Sequence, residues 1–288
     1  MGLENFTPSI WSAKLFVRLR KALVAASVVN QDYQGEISQF GDSVRINEIG
    51  PITVSDYTKY GALTWQALDS AQKILLIDQG KSFSFAVDDV DAAQNKPKTI
   101  NAAMDEAAYA VADTIDQFIL GLYAQAGVTG SSTYIGSASS SISVSSGNVI
   151  ETLSYAQRYL NEANVPTGNR WGIIPPWVHQ DLVIAECGGV AATAVPKVRE
   201  DGVIMNGYVG QAMGFNLLMS NNVSNNGTQY RCMFGHRLAI SYAGQIAKVK
   251  AVEREDYFDE GMKGLYVYGA KVVRPNALCT AYLAEAAG

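Results

Sequence analysis

Residues 99–126 read TINAAMDEAAYAVADTIDQFILGLYAQA, with Gly127 after them. Ile100, Met104, Ala107, Val111, Ile115, Phe118 and Leu122 recur at steps of four and three, the spacing of one helix face. Asn101, Asp105, Asp113 and Asp116 fall mostly away from that face. Alanine is abundant and costs least to hold in a helix. Thr99 is the expected cap, Pro97 discourages helix upstream, and Gly127 suits a left-handed stop. At ~1.5 Å per residue the run is ~42 Å long, well beyond the mean helix of about 11–12 residues. By itself the stretch is an amphipathic helix of a mixed domain. Its surroundings decide what it serves.

Upstream, Val44, Ile46 and Ile52 alternate with polar residues and read as strand and turn. Residues 57–72, YTKYGALTWQALDSAQ, have neither a helical face nor a core pattern. Lying between strand-like runs, they read as an extended hairpin loop. Ile74–Ile77 and Ser82–Val87 read as strands, with Asp78, Gln79 and Gly80 as the turn. Further upstream, Thr7 and Pro8 open a second helical pattern through Trp11, Leu15, Leu19 and Leu23. Lys14, Arg18 and Lys21 line it, either as a solvated face or as a contact for nucleic acid or an acidic partner.

Downstream, residues 127–147 are mostly Ser, Gly and Thr and read as a surface hairpin or flexible loop at a domain boundary. Asn148 is placed to cap a helix through Val149, Leu153, Ala156 and Leu160. Arg170–Ile174 is a short strand of buried type, ended by Pro175 and Pro176, with a helix over Trp177–Glu186. Residues 207–220 read as a glycine-rich turn into a strand. Residues 232–240, 246–253 and 264–273 alternate as strands that complete the first sheet. The order is an α+β pattern.

Composition narrows the function. Apolar residues are 48% of 288, ample for a core, while charged residues are only 17%, so much of the surface is expected to face other protein. A net charge of −5 argues against a dedicated nucleic-acid binder. No apolar run approaches a membrane span, and the first residues lack a signal-peptide pattern. Cys187, Cys232 and Cys279 are too scattered for a disulfide framework or a zinc site. His179 and His236 have no second ligand at metal spacing. Cys187 and His179 would give a hydrolase pair, but no motif supplies the third, orienting group. Asp88, Asp89 and Asp91 lack the glycine and distal Glu of a calcium loop. Gly207, Gly210 and Gly214 fit no nucleotide-binding loop. The expectation is a protein without cofactor or metal, and not an enzyme.

Three stretches in order carry a resemblance: residues 6–46 with Trp11, Asn30, Tyr33, Gly35 and the Gly41–Val44 strand start; residues 75–94, LLIDQGKSFSFAVDDVDAAQ; and residues 207–223, GYVGQAMGFNLLMSNNV. In these the chain resembles tailed-phage major capsid proteins with the Hong Kong 97-type fold. The resemblance implies an N-arm over 1–34 and a peripheral domain starting over 35–127. Within the latter lie an extended loop at 53–72, reaching over a neighbouring subunit, and a spine helix at 99–126. An axial domain over 128–230 and return strands over 231–288 follow. It implies hexamers and pentamers closing into an icosahedral shell around double-stranded DNA, assembled in the host cytoplasm. A separate scaffolding protein is expected because little sequence precedes Phe6, along with a portal and cement proteins. Subunit-interface candidates are Trp11, Lys14, Arg18, Lys59, Tyr60, Trp65 and Asp69. Covalent cross-linking is not expected, although Lys59 or Lys73 with Asn276 would supply a lysine and an asparagine. A cellular, encapsulin-like nanocompartment shell and a Cys-dependent hydrolase are the alternatives.

Overall fold

The computed structural model describes residues 21, 23–33, 43–49, 52–54, 56, 59–60, 65–66, 70–88, 98–129, 134–187, 208–253 and 259–286. Helix and sheet are mixed, as expected. A short helix α1 (Ala25–Val28) precedes strands β1 (Ser43–Ile49), β2 (Ser70–Leu76) and β3 (Gln79–Asp88). The long helix α2 (Lys98–Leu120) follows, then β4 (Val128–Thr129) and β5 (Ile142–Val144). Next come α3 (Val149–Glu162), β6 (Arg170–Ile174), α4 (Pro176–Cys187), β7 (Tyr208–Ala212) and β8 (Phe215–Met219). Strands β9 (Tyr230–His236), β10 (Ile240–Glu253), β11 (Asp259–Val272) and β12 (Leu278–Glu285) close the chain.

Three sheets result. Strands β1 and β2 form an antiparallel ribbon, β3 pairs with β11 beside β10, and β4-β12-β9-β6-β8-β7 form a mixed sheet with β5 also on β12. The first-sheet expectation therefore holds for β10 and β11, which complete the sheet of β3. Strand β9 instead pairs with β6, and β12 pairs with β9, so both extend the mixed sheet. Ile77 and Asp78 make a turn shorter than expected, and it joins two sheets, because β2 pairs with β1 and β3 with β11.

The helix departs from its expected ends. Lys98 starts it, so Thr99 lies inside it and does not cap it. After Leu120 the chain tightens into a 3-10 turn over Gly121–Gln125. Gly127 is not left-handed. A Cβ there would sit 2.6 Å from the Pro275 carbonyl carbon, and its N–H donates to that carbonyl at 2.8 Å. Glycine is needed at this position for close approach of two backbones.

Ile115, Ile119, Leu120 and Leu122 are buried, and Val111 and Phe118 pack against the same core. Phe118 meets Tyr268 of β11 edge-on, ring centroids 5.3 Å apart. Helix α3 buries Val149, Leu153, Ala156 and Leu160 as its period requires. Asn148 is its N-cap residue, but its side chain ties down the preceding turn, accepting from Ser145 N–H at 2.8 Å and donating to the Ser143 carbonyl at 2.9 Å.

The Ser- and Gly-rich stretch is more than a loop. It delivers β4 and β5 to β12 as parallel partners and buries Ile135 completely, whose carbonyl accepts from Tyr282 N–H at 2.7 Å. Strands β7 and β8 form a hairpin around Met213 (φ 48°) and Gly214 (φ 75°), two successive left-handed residues that match the twist of the strands.

Candidate assembly site

Two parts of the chain are candidates for a role in association: the ribbon with its loop, and the root of the N-terminal segment. In the ribbon, β1 and β2 pair from Ser43↔Leu76 to Ile49↔Ser70. Ser70, Ala71 and Gln72, expected in the loop, are therefore strand. Isolated two-stranded ribbons are marginal in water. This one is held by a small core of Val44, Leu75 and Ile77 against Ala243 and Val267. Two lysines fasten it as well: Lys271 Nζ donates to the Ile74 carbonyl at 2.9 Å and Lys73 Nζ to the Val273 carbonyl at 2.5 Å.

The loop beyond the ribbon exposes what a core would bury. Val54, Tyr60 and Trp65 are 92%, 92% and 93% exposed. Lys59 Nζ sits 5.2 Å from the centroid of its neighbour Tyr60, a residue held at φ 69°. Thr53 N–H donates across the loop to Gln66 Oε1 at 2.8 Å. Lys59, Tyr60 and Trp65 thus lie on one exposed loop. Trp11, Lys14, Arg18 and Asp69 lie outside the described residues, as do most residues of the N-arm.

The second part was missed from the sequence. Asp116, expected on the polar side of the helix, is only 1% exposed. Its Oδ1 accepts from Val24 N–H at 2.9 Å and Ala25 N–H at 2.7 Å, the free amides at the start of α1. Its Oδ2 accepts from Asn222 Nδ2 at 3.0 Å, and the same amide reaches Asp113 at 2.7 Å. Lys21 donates to Asn222 Oδ1 at 3.0 Å and lies 3.8 Å from Asp113. Burial raises the Asp116 carboxyl above its ordinary value of 3.8, against the amide hydrogen bonds that favour its charge. Asn30 adds a bridge to Ser241, donating to the Ile240 carbonyl at 2.9 Å and accepting from Tyr242 N–H at 2.9 Å. A sequence signal for Asp116 did exist: Ile119 and Leu120, three and four residues on, widen the buried stripe past the single apolar row and over Asp116.

The residues tested for catalysis do not assemble. His179 is on α4, while the Cys187 side chain lies outside the described residues. Cys232 and Cys279 are buried thiols whose pKa values burial pushes far up, so they stay protonated. Asp88 ends β3, and Asp89 and Asp91 lie outside the described residues. Among the described residues no cluster of His, Cys, Asp and Glu forms a metal site, and no helix is long and apolar enough to cross a membrane.

Comparison with known proteins gives one family and a consistent set of structures. The sequence model of a family described as phage capsid protein matches residues 51–281. A solved structure from Mycobacterium phage Che8 is 26% identical, covering 97% of this chain and 98% of its own, with a TM-score of 0.75. The capsid of cyanophage P-SCSP1u is 17% identical over 99% and 95%, with a TM-score of 0.74. That of Ralstonia phage GP4 is 13% identical over 100% and 98%, with a TM-score of 0.65. No curated protein sequence matches.

Proposed function

The chain belongs to the phage capsid protein family and is a major capsid protein of a tailed phage; from that premise we propose that it closes into pentamers and hexamers around packaged double-stranded DNA. The family match over residues 51–281 carries the reading. The exposed Val54, Tyr60 and Trp65 of the loop support it, because exposed large apolar side chains grouped on one loop mark a surface for contact with another molecule. Head-to-tail contacts close into rings, and each closed contact raises the effective concentration for the next.

In this reading residues 1–34 are the N-arm, rooted by Asp116. Residues 35–127 begin the peripheral domain, with the loop between β1 and β2 reaching a neighbour and α2 as spine. Residues 128–230 form the axial domain and 231–288 return to the periphery. Strands β9 and β12 keep the two bodies joined through one sheet. Lys59, Tyr60 and Trp65 act at the subunit contact, together with Trp11, Lys14, Arg18 and Asp69. Assembly takes place in the host cytoplasm with a separate scaffolding protein, a portal and, on the finished shell, cement proteins. The chain performs no catalysis, needs no cofactor, and its subunits stay without covalent cross-links.

Electron microscopy of the purified protein, with and without co-expressed neighbouring phage proteins, tests this. Rings or shells are expected. A protein that stays monomeric under every condition overturns the reading. Shells filled with protein cargo and free of DNA in infected cells return it to a cellular compartment. Denaturing gels of mature particles should show one band near 31 kDa; a ladder means cross-linking.

A further inference from the structure

The sheet of β3, β11 and β10 carries like charges directly across from one another. Its register sets Lys250 of β10 opposite Lys263 of β11, Asp259 of β11 opposite Asp88 of β3, and Glu253 opposite Glu260. Like charges in facing positions destabilise an antiparallel pair, because their Cβ atoms are only about 4.5–5.5 Å apart. Lys250, Lys263 and the nearby Lys248 are exposed, and among the described residues none of the three is in an ion pair.

The pleat puts the lysine pair and the aspartate pair on one face. Asp259 is four residues from Lys263 on β11, Asp88 is four from Ser84 on β3, and Ser84 stands opposite Lys263. An even step returns to the same face, and at ~3.3 Å per residue the two pairs lie ~13 Å apart. Elsewhere the chain covers this sheet itself. Helix α2 packs on the other face, where Phe118 meets Tyr268. The ribbon covers the lysine face at its far end: Val267 joins Leu75 and Ile77 in the small core, and a Cβ on Gly269 would strike the Leu76 carbonyl. Past Val267 the face opens, and Leu265, between Lys248 and Ser82, is 40% exposed.

We propose that the open end of this face docks on the same face of a second copy laid antiparallel to it, Lys250 and Lys263 of each copy meeting Asp88 and Asp259 of the other. The inference rests on the capsid reading above. The arrangement of charge chooses the occupant. A positive pair and a negative pair at fixed spacing on one face match a copy of themselves turned end for end, which is a self-complementary contact. A DNA duplex, or any uniformly acidic partner, would meet the lysines and be repelled by the aspartates further along the strands. In the contact each like pair receives opposite charges, so a cost carried by the free subunit is relieved on association.

Charge swaps that keep each like pair alike test this. Lys250→Glu with Lys263→Glu, and Asp88→Lys with Asp259→Lys, should leave melting of the unassembled subunit near that of wild type. Followed by light scattering, each double variant should need at least about tenfold more protein to assemble, because attraction becomes repulsion at both ends. The chain with all four swaps, or an equimolar mixture of the two double variants, should assemble as wild type does. Lys263→Glu alone makes an attractive pair with Lys250, so it should raise the melting temperature of the unassembled subunit and still weaken assembly. Undiminished assembly of the Lys250→Glu, Lys263→Glu chain overturns the proposal, as does failure of both the four-swap chain and the mixture to recover. If neither recovers and the lysine variant has also lost binding to a duplex oligonucleotide, the lysines belong to DNA instead. A wild type that forms no rings or shells sinks the capsid reading, whatever the variants do.

Discussion

The mixed sheet and the β1–β2 ribbon use the same residue types to opposite ends. In the sheet every residue of β6 is buried, and Ile173 and Ile174 are 1% and 0% exposed. In the ribbon only one face of β2 is inside: Leu75 and Ile77 are buried, while Ile74 and Leu76 point to solvent, and the loop beyond exposes Val54, Tyr60 and Trp65. Apolar area removed from water within the chain stabilises the fold. Apolar area left in water stabilises only contact with another molecule. The sheet therefore stabilises the subunit, and the ribbon's loop, in the function proposed above, serves the assembly.

The sharpest way to break that contrast is Ile115→Asp. Loss of the side chain costs about 2–5 kcal/mol, and the charge buried in the core adds to it. Against a total of about 5–15 kcal/mol the subunit should precipitate, read as loss of soluble protein. A soluble, normally melting variant would mean that the helix face is not core.

Next comes Asp116→Ala, which strands two α1 amides and the Asn222 amide in a buried site at about 1–3 kcal/mol apiece. It should lower the melting temperature and expose the segment before Val24 to protease. Asp113 lies, in the sequence reading, away from the apolar face, which by itself predicts a mild effect for Asp113→Ala. Asp113 also receives Asn222 and lies near Lys21, so its loss should exceed a bare surface change and still fall short of Asp116→Ala. Equal effects of the two would deny Asp116 its special role.

Acidity sharpens the same point. The folded-state value of Asp116 is raised, so the folded chain holds that proton more tightly than the unfolded one. The stabilisation this gives is complete below 3.8 and is lost as pH rises through the folded value. Asp116→Asn should flatten this part of the melting-versus-pH curve, and a parallel curve rejects it.

The smallest effect on melting and the largest on assembly should come from the loop. Replacing residues 53–66 with a short Gly/Ser hairpin, keeping Ser70–Gln72 in β2, should leave circular dichroism and melting nearly unchanged while shells fail to form. Trp65→Ala should do the same more weakly. A collapsed melting transition would place the loop in the core.

Much of the fold was legible because period is a local property. The four-and-three spacing of α2, the apolar row of α3 and the two prolines that end β6 each lie within one segment, and each element formed, α2 with its ends shifted. The loop was legible too, by its lack of any period. The candidate site was legible only in part. Lys59, Tyr60 and Trp65 announced themselves as aromatic and basic residues in a polar excursion. Asp116 looked like the other aspartates of its helix, since its partners are the α1 amides 91 and 92 residues away and Asn222, 106 away.

The sequence by itself determined most of the helices and strands, the apolar rows of α2 and α3, and that charge and cysteine usage suit neither a nucleic-acid binder nor a disulfide scaffold. Tertiary structure decided the rest. It placed β2 and β3 in different sheets, recruited β4 and β5 to β12, turned Gly127 from a stop into a point of backbone contact, and set Lys73 beside Arg274 some 200 residues away. The physical reason is common to all four. Periodicity records how a segment meets water, whereas partner choice depends on which distant backbone groups and charges arrive at the same place, and no local pattern encodes that arrival.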